Sequence, residues 1–149
     1  MSRDEPPGKV VFGSAPIRAA DSDAIGEAAE KLRAGDLVAV PTETVYGLAA
    51  LAGSEGAVAK LYAAKGRPPS NPLIVHVFDA AMAQEIAALS DRGRMLAELW
   101  PGPLTLVASL RDGAGVASNA LAGGTTVAVR VPKAATIRSL IEKTGPLVA

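Results

Sequence analysis

"SEGAVAKLYAAKGRPPSNPLIVHV", Ser54 to Val77, changes its period halfway along. Up to Gly66 it reads as a capped helix, with Val58, Leu61 and Tyr62 on one face and Gly66 as the stop. From Asn71 the period falls to two, and "NPLIVHV" reads as a buried strand. Between them, Pro68 disfavours the α region for Arg67, so the chain beyond Gly66 is expected to be extended. A helix that feeds a buried strand through a short turn is the unit from which α/β sheets are built.

The same alternation runs outward in both directions. "KVVFGS", Lys9 to Ser14, reads as a short first strand. "DSDAIGEAAEKLRAG" is a helix with Asp21 or Ser22 as N-cap, Ile25, Ala28, Ala29 and Leu32 at helical spacing, and Gly35 as C-cap. "DLVAVP" is a buried strand stopped by Pro41, and "GLAALA" returns to the sheet after "TETVY". "DAAMAQEIAAL" and "RGRMLAELW" read as helices, "PLTLVASL" and "TTVAVRVP" as strands, and "KAATIRSLIEKTG" as a last helix. The expected fold is α/β: a twisted, open, mixed sheet with parallel stretches and flanking helices. It divides into an N-terminal segment, residues 1–20, and a single domain over 21–149. "RDGAGVASNALAGG", Arg111 to Gly124, is the one long loop, glycine-rich and expected to be mobile. "GPLVA" starts a further buried strand in which the sequence stops, so the domain is expected to be incomplete at its C-terminus.

Composition bounds the function. With 149 residues, 49% of them apolar, the chain suits one domain with a real core. Lys plus Arg total 15 and Asp plus Glu total 15, so no overall field draws the molecule to nucleic acid or to an anionic membrane, and any anion site must be local. The absence of cysteine removes disulfides, thiolate metal sites and thiol nucleophiles. No apolar run approaches the roughly 20 residues of a membrane helix. "MSRDEPPGK" is not a signal peptide, and a cytoplasmic location is expected.

Several side chains stand out against this background. With Lys65 outside the helix, Lys65 and Arg67 lie two apart in extended chain and converge on one spot. A mobile point charge and a planar fork together suit a polyphosphate. Asn71, before Pro72, can donate to a phosphate or cap the turn; equally, cations at a helix C-terminus favour its dipole and Asn-Pro is a common turn. His76 lies on the strand face of Ile74, opposite Val75 and Val77, where a lone histidine is more often a hydrogen-bonded core residue than a ligand or base. Thr42 and Thr44 alternate onto one side of the chain beyond Pro41, near where open α/β sheets place ligands, while Glu43 reads as a solvated loop charge. "TTVAVRVP" puts Thr126, Ala128 and Arg130 on one strand face. An inward Arg130 needs an anion, either a structural carboxylate or that of a substrate.

"PTETVYGLAA", "KLYAAKGRPPSNPLIVHV", "LWPGPLTLV" and "TTVAVRVP", in this order, strongly resemble the YrdC/Sua5 family of threonylcarbamoyl-AMP synthases, from about Ala24 to Ala149. The resemblance implies a nucleotidyltransferase that makes threonylcarbamoyl-adenylate and pyrophosphate from L-threonine, bicarbonate or carbon dioxide, and ATP. Mg²⁺ would travel with the ATP, with no protein-held metal site, and the product would pass to the tRNA threonylcarbamoyl transferase machinery for t6A modification. By the same resemblance Lys65 and Arg67 are catalytic and bind the ATP phosphates, and Asn71 and Thr126 complete the nucleotide contacts. Thr44, His76 and Arg130 line the threonine pocket, with Thr42 a lesser candidate. The family's S-x-N motif would follow "GPLVA", so part of the nucleotide pocket is expected beyond Ala149. Two alternatives stay open: an RNA-binding module of the same fold, which near-neutral charge and scarce aromatics disfavour, and a carbamoyltransferase-type domain.

Overall fold

Small polar residues start four of the five helices in the computed structural model, which describes residues 15–149. Asp21 Oδ1 accepts from the Ala24 N–H at 2.8 Å and opens α1 (Ser22–Arg33). Ser54 Oγ accepts from the Ala57 N–H at 3.1 Å and opens α2 (Glu55–Lys65). Asp79 and Ser90 do the same for α3 (Ala80–Ile86) and α4 (Asp91–Ala97). Each cap satisfies one of the N–H groups a helix leaves without an internal partner. Ala134, before α5 (Ala135–Thr144), has no such side chain. Helix α1 is closed by Ala34, and Gly35 follows one residue later than its expected capping place, at φ +88°. Helix α2 stops at Gly66, at φ +58°, as expected of a left-handed glycine.

Seven strands form one open sheet: β1 (Val38–Pro41), β2 (Tyr46–Leu51), β3 (Ile74–His76), β4 (Ala87–Ala88), β5 (Thr105–Leu110), β6 (Thr126–Arg130) and β7 (Leu147–Val148). Their spatial order is β1-β2-β7-β3-β6-β5-β4. Only β3 and β6 run parallel; the other neighbours are antiparallel, so the expected parallel stretches reduce to this one pair. Strand β4 lies inside a stretch that reads as helix, because alanine favours helix wherever tertiary pairing does not intervene. Here Ala87 and Ala88 pair with Leu110 and Ser109 on β5. The strand expected at Lys9–Ser14 lies outside the described residues.

Strand alternation sorts the core into two layers. On one face Val75, Val127, Val129 and Val148 pack with Val58, Leu61 and Tyr62 of α2. On the other, Val40, Ala49 and Leu147 pack with Leu32 of α1 and Ile137, Leu140 and Ile141 of α5. This second layer covers β1, β2 and β7 and leaves the β3–β6–β5 part of its face open. Ile74, Ala128 and Thr105 are half-buried there, and Val107, Ser109 and Thr126 are exposed.

The long loop is not the loose segment its glycines suggested. Ser118–Leu121 form a 3-10 turn with Ala117, Ala120 and Leu121 buried. The Ala117 N–H donates to Ala52 O at 2.8 Å, and the Leu73 N–H to Ala120 O at 2.9 Å. A Cβ on Gly53 would stand 2.8 Å from Gly115 O, so a small residue here serves close packing. Among the described residues no helix is long and apolar enough to cross a membrane.

Candidate functional site

The hairpin that joins β1 to β2 turns through Thr42–Val45. Its tightness comes from Thr42: the N–H donates to Val45 O at 3.1 Å, and Oγ1 donates to the same oxygen at 2.7 Å. Thr42 Oγ1 also accepts from the Thr44 and Val45 N–H groups, each at 3.2 Å. The segment is therefore a turn and not the extended continuation that alternation implied. Thr42 is consumed inside it, while its hydroxyl lies 2.9 Å from that of Thr44.

The turn sends Glu43 and Thr44 onto the open face, against Arg130. Arg130 is 8% exposed and has a partner at each nitrogen of its guanidinium. Nε donates to Gly102 O at 3.2 Å, Nη2 to Glu43 Oε1 at 2.5 Å, and Nη1 to Thr44 Oγ1 at 3.4 Å. The anion that an inward arginine requires is thus a structural carboxylate. Glu43 is not the solvated loop charge expected from sequence: its side chain is 19% exposed, and Oε2 accepts from the N–H groups of Lys133 and Ala134 at 3.1 and 3.2 Å. From far along the chain it ties down the two residues that lead into α5, and its charge lies at the helix's positive end. Burial by itself raises the Glu43 carboxyl. Hydrogen bonds from Arg130, its own backbone, Lys133 and Ala134 outweigh that and hold the pKa at about 2.

His76 sits beside Arg130 in register across the parallel pair β3–β6. It is buried as expected, at 4% exposure, but Nδ1 has no hydrogen-bond partner. Burial lowers the imidazole and the Arg130 charge lowers it further; a backbone hydrogen bond at Ile74 and the Glu43 charge pull the other way, and the pKa settles at about 4. The ring is neutral at physiological pH and offers a buried acceptor.

Asn71, Thr126 and Arg67 lie at the opposite end of these strands. Thr126 opens β6, and since Ile74 pairs with Ala128, Thr126 lies level with Pro72, next to Asn71. Four residues of strand, roughly 13 Å, separate Thr126 from Arg130. The loop between α2 and β3 is well held: Tyr62 donates its hydroxyl to Asn71 O at 2.7 Å, and burial raises the pKa of that hydroxyl against the opposing charge of Arg67. Arg67 donates from Nε to Asn71 O at 3.3 Å and from Nη2 to Pro72 O at 2.9 Å. Lys65 is the last residue of α2, so the convergence of Lys65 and Arg67 along extended chain does not hold. Arg67 is instead partly committed to shaping the loop, with further N–H donors to spare. Exposed Lys65 makes no ion pair or side-chain hydrogen bond among the described residues.

The structure therefore brings together Thr44, His76 and Arg130 at one end of the open face, and Asn71, Thr126 and the loop carrying Arg67 at the other. Glu43 was read in the sequence as a solvated charge and the Gly102 carbonyl was not read at all; the one available signal for Glu43 was that Arg130 needed an anion. Among the described residues no group of three or more His, Cys, Asp or Glu side chains is placed to hold a metal.

Comparison with known proteins follows the same lines. The Sua5/YciO/YrdC family model, described as telomere recombination, matches residues 30–149. A threonylcarbamoyl-AMP synthase of Bacillus subtilis is 42% identical over 81% of this chain and 35% of its own length. One from Pyrococcus abyssi is 46% identical over 77% of this chain and 34% of its own. The chain thus spans about a third of the length of these curated relatives. The crystal structure of P. abyssi Sua5 complexed with L-threonine superposes with a TM-score of 0.82 at 42% identity, over 87% of this chain and 38% of that one. By its matched residues and its fold, this chain belongs to the Sua5/YciO/YrdC family.

Proposed function

We propose that the chain carries out threonylcarbamoyl-AMP synthesis, joining L-threonine, carbon dioxide or bicarbonate, and ATP, with release of pyrophosphate. One observation carries this reading. A nearly buried arginine, a threonine hydroxyl and a neutral histidine meet on an open sheet face in a chain 42% identical to a threonylcarbamoyl-AMP synthase.

The chemistry needs orientation and charge rather than a covalent nucleophile. The free amine of threonine attacks the carbon of CO₂ and loses a proton to solvent, giving a carbamate. A carbamate oxygen then attacks the α-phosphorus of ATP, and the bond to pyrophosphate breaks. Arg130 Nη1 receives the amino acid's carboxylate. Thr44 Oγ1 takes a remaining polar hydrogen, and neutral His76, beside Arg130, lines the pocket without adding a second positive charge to it. Lys65, Arg67, Asn71 and Thr126 hold the nucleotide, Lys65 and Arg67 by charge on the phosphates. Mg²⁺ comes with ATP, bound by its phosphate oxygens. Ala128, between the two groups on β6, leaves room for the reacting atoms.

The product is a reactive mixed anhydride, suited to transfer to tRNA for t6A modification in the cytoplasm, where ATP and tRNA occur. An RNA-binding role carries less, since 15 basic and 15 acidic residues cancel. The test is pyrophosphate release from ATP by this chain, with the adenylate followed by chromatography. Release that depends on both L-threonine and bicarbonate is expected; release indifferent to threonine refutes the reading.

A further inference from the structure

Glu43 holds three parts of the molecule at once: the hairpin tip, the buried guanidinium of Arg130 and the start of α5. We propose that Glu43 is a positioning residue for amino-acid recognition, fixing Arg130 so that Nη1 alone is presented to the substrate's carboxylate. This rests on the reading of Thr44, His76 and Arg130 as the threonine pocket.

The geometry argues for a fixed partner and against a carboxylate that leaves when substrate arrives. A guanidinium is a planar fork, and tying two of its nitrogens fixes the direction of the third. Nε is tied to Gly102 O at 3.2 Å and Nη2 to Glu43 at 2.5 Å. Nη1 keeps only the contact to Thr44 at 3.4 Å, longer than an ordinary N–H···O bond, and so has capacity for a better acceptor. Glu43 cannot follow an incoming carboxylate outward without abandoning the Lys133 and Ala134 N–H groups, which have no side-chain cap of their own. The same carboxylate anchors the hairpin tip, which Thr42 shapes locally, against Arg130, so the Thr44 hydroxyl and the Arg130 fork arrive in register. No local feature of "PTETVYG" imposes that alignment.

The test compares the whole chain with Glu43→Gln, Arg130→Gln and the double variant. L-threonine and ATP affinities are measured by calorimetry, and the Arg130 Nε–H and Nη–H signals by nuclear magnetic resonance without ligand. Glu43→Gln should weaken threonine binding about tenfold or more, the loss of Arg130's alignment outweighing the stronger pull of an unpaired guanidinium on the substrate's carboxylate. ATP affinity should stay within about twofold, since the nucleotide group lies roughly 13 Å away along β6. In the Arg130→Gln background Glu43→Gln should have no further effect on threonine, because the residue acts through Arg130. Slowly exchanging, resolved Arg130 side-chain signals should be lost in Glu43→Gln. If that variant fails to fold, Glu43→Asp, which keeps the charge but withdraws it by one methylene, replaces it in every comparison. Unchanged threonine affinity, a parallel loss for ATP and threonine, or additive effects with Arg130→Gln would each overturn the proposal. A wild-type chain that binds ATP but not L-threonine would defeat the functional reading instead, and the Arg130 signals alone would then decide whether Glu43 fixes the guanidinium.

Discussion

Lowering the pH should weaken the fold through His76 before any other group in the site responds. The folded protein keeps this imidazole neutral down to about pH 4, against an ordinary value of 6.5, because it is buried and lies beside the Arg130 charge. The unfolded chain takes up the proton near 6.5, so the stability tied to a neutral His76 is fully present above that value and is lost as pH falls toward and through 4. At about 1.4 kcal/mol for each tenfold change in proton affinity, the full effect is about 3 kcal/mol. That is a large share of the roughly 5–15 kcal/mol that holds a typical domain together. Glu43 responds later: its carboxyl, held at about 2 against 4.5, contributes stability above 4.5 that disappears as pH falls through 2. Urea denaturation at pH 7 and pH 5 thus isolates His76, and the drop between them should largely vanish in His76→Asn. Because the chain has a single histidine, its Cε1–H resonance reports the titration directly and should move with a midpoint near 4. Arg130→Gln should raise that midpoint and Glu43→Gln should lower it. A midpoint near 6.5, or an unchanged pH dependence in His76→Asn, would refute the burial and charge account of this residue.

Lys65→Ala should weaken ATP binding by roughly tenfold and leave the melting temperature nearly alone, since an exposed cation with no ion pair among the described residues stabilises a fold little. Arg67→Ala should weaken ATP binding and also cost about 1 kcal/mol, because the Pro72 carbonyl loses its side-chain donor while the Asn71 carbonyl keeps only Tyr62; calorimetry and thermal melts separate the two cases. L-threonine should be preferred to valine by roughly a hundredfold or more in pyrophosphate release, as a site that hydrogen-bonds a hydroxyl strands polar groups when the isostere enters; equal rates would remove the threonine pocket. Gly53→Ala should destabilise the protein by about 1–3 kcal/mol in urea, since its Cβ meets Gly115 O at 2.8 Å; a neutral outcome would show that the Arg111–Gly124 loop yields easily.

Much of this protein was decided locally and could be read from the chain. The stop of α2 at Gly66 follows from one residue's freedom to take positive φ, and the caps of α1 and α2 from side chains three residues from the N–H groups they satisfy. The two faces of β6 follow from alternation, as does the inference that an inward Arg130 needs an anion. Which anion was beyond the sequence. Glu43 lies 87 residues away, in a turn that looks solvated, and it reaches Arg130 only because the hairpin of β1 and β2 and the parallel pair β3–β6 bring them together. The same holds for the anchor of the α5 entry, which comes from 91 residues upstream of Ala134, and for β4, where pairing with β5 overrode a helical pattern. Where a capping side chain stands three residues before the N–H it serves, as at α1 and α2, sequence spacing is a sufficient guide. A buried charge is matched by any carboxylate that the fold carries within hydrogen-bond reach, and only the tertiary arrangement of the strands selects which one.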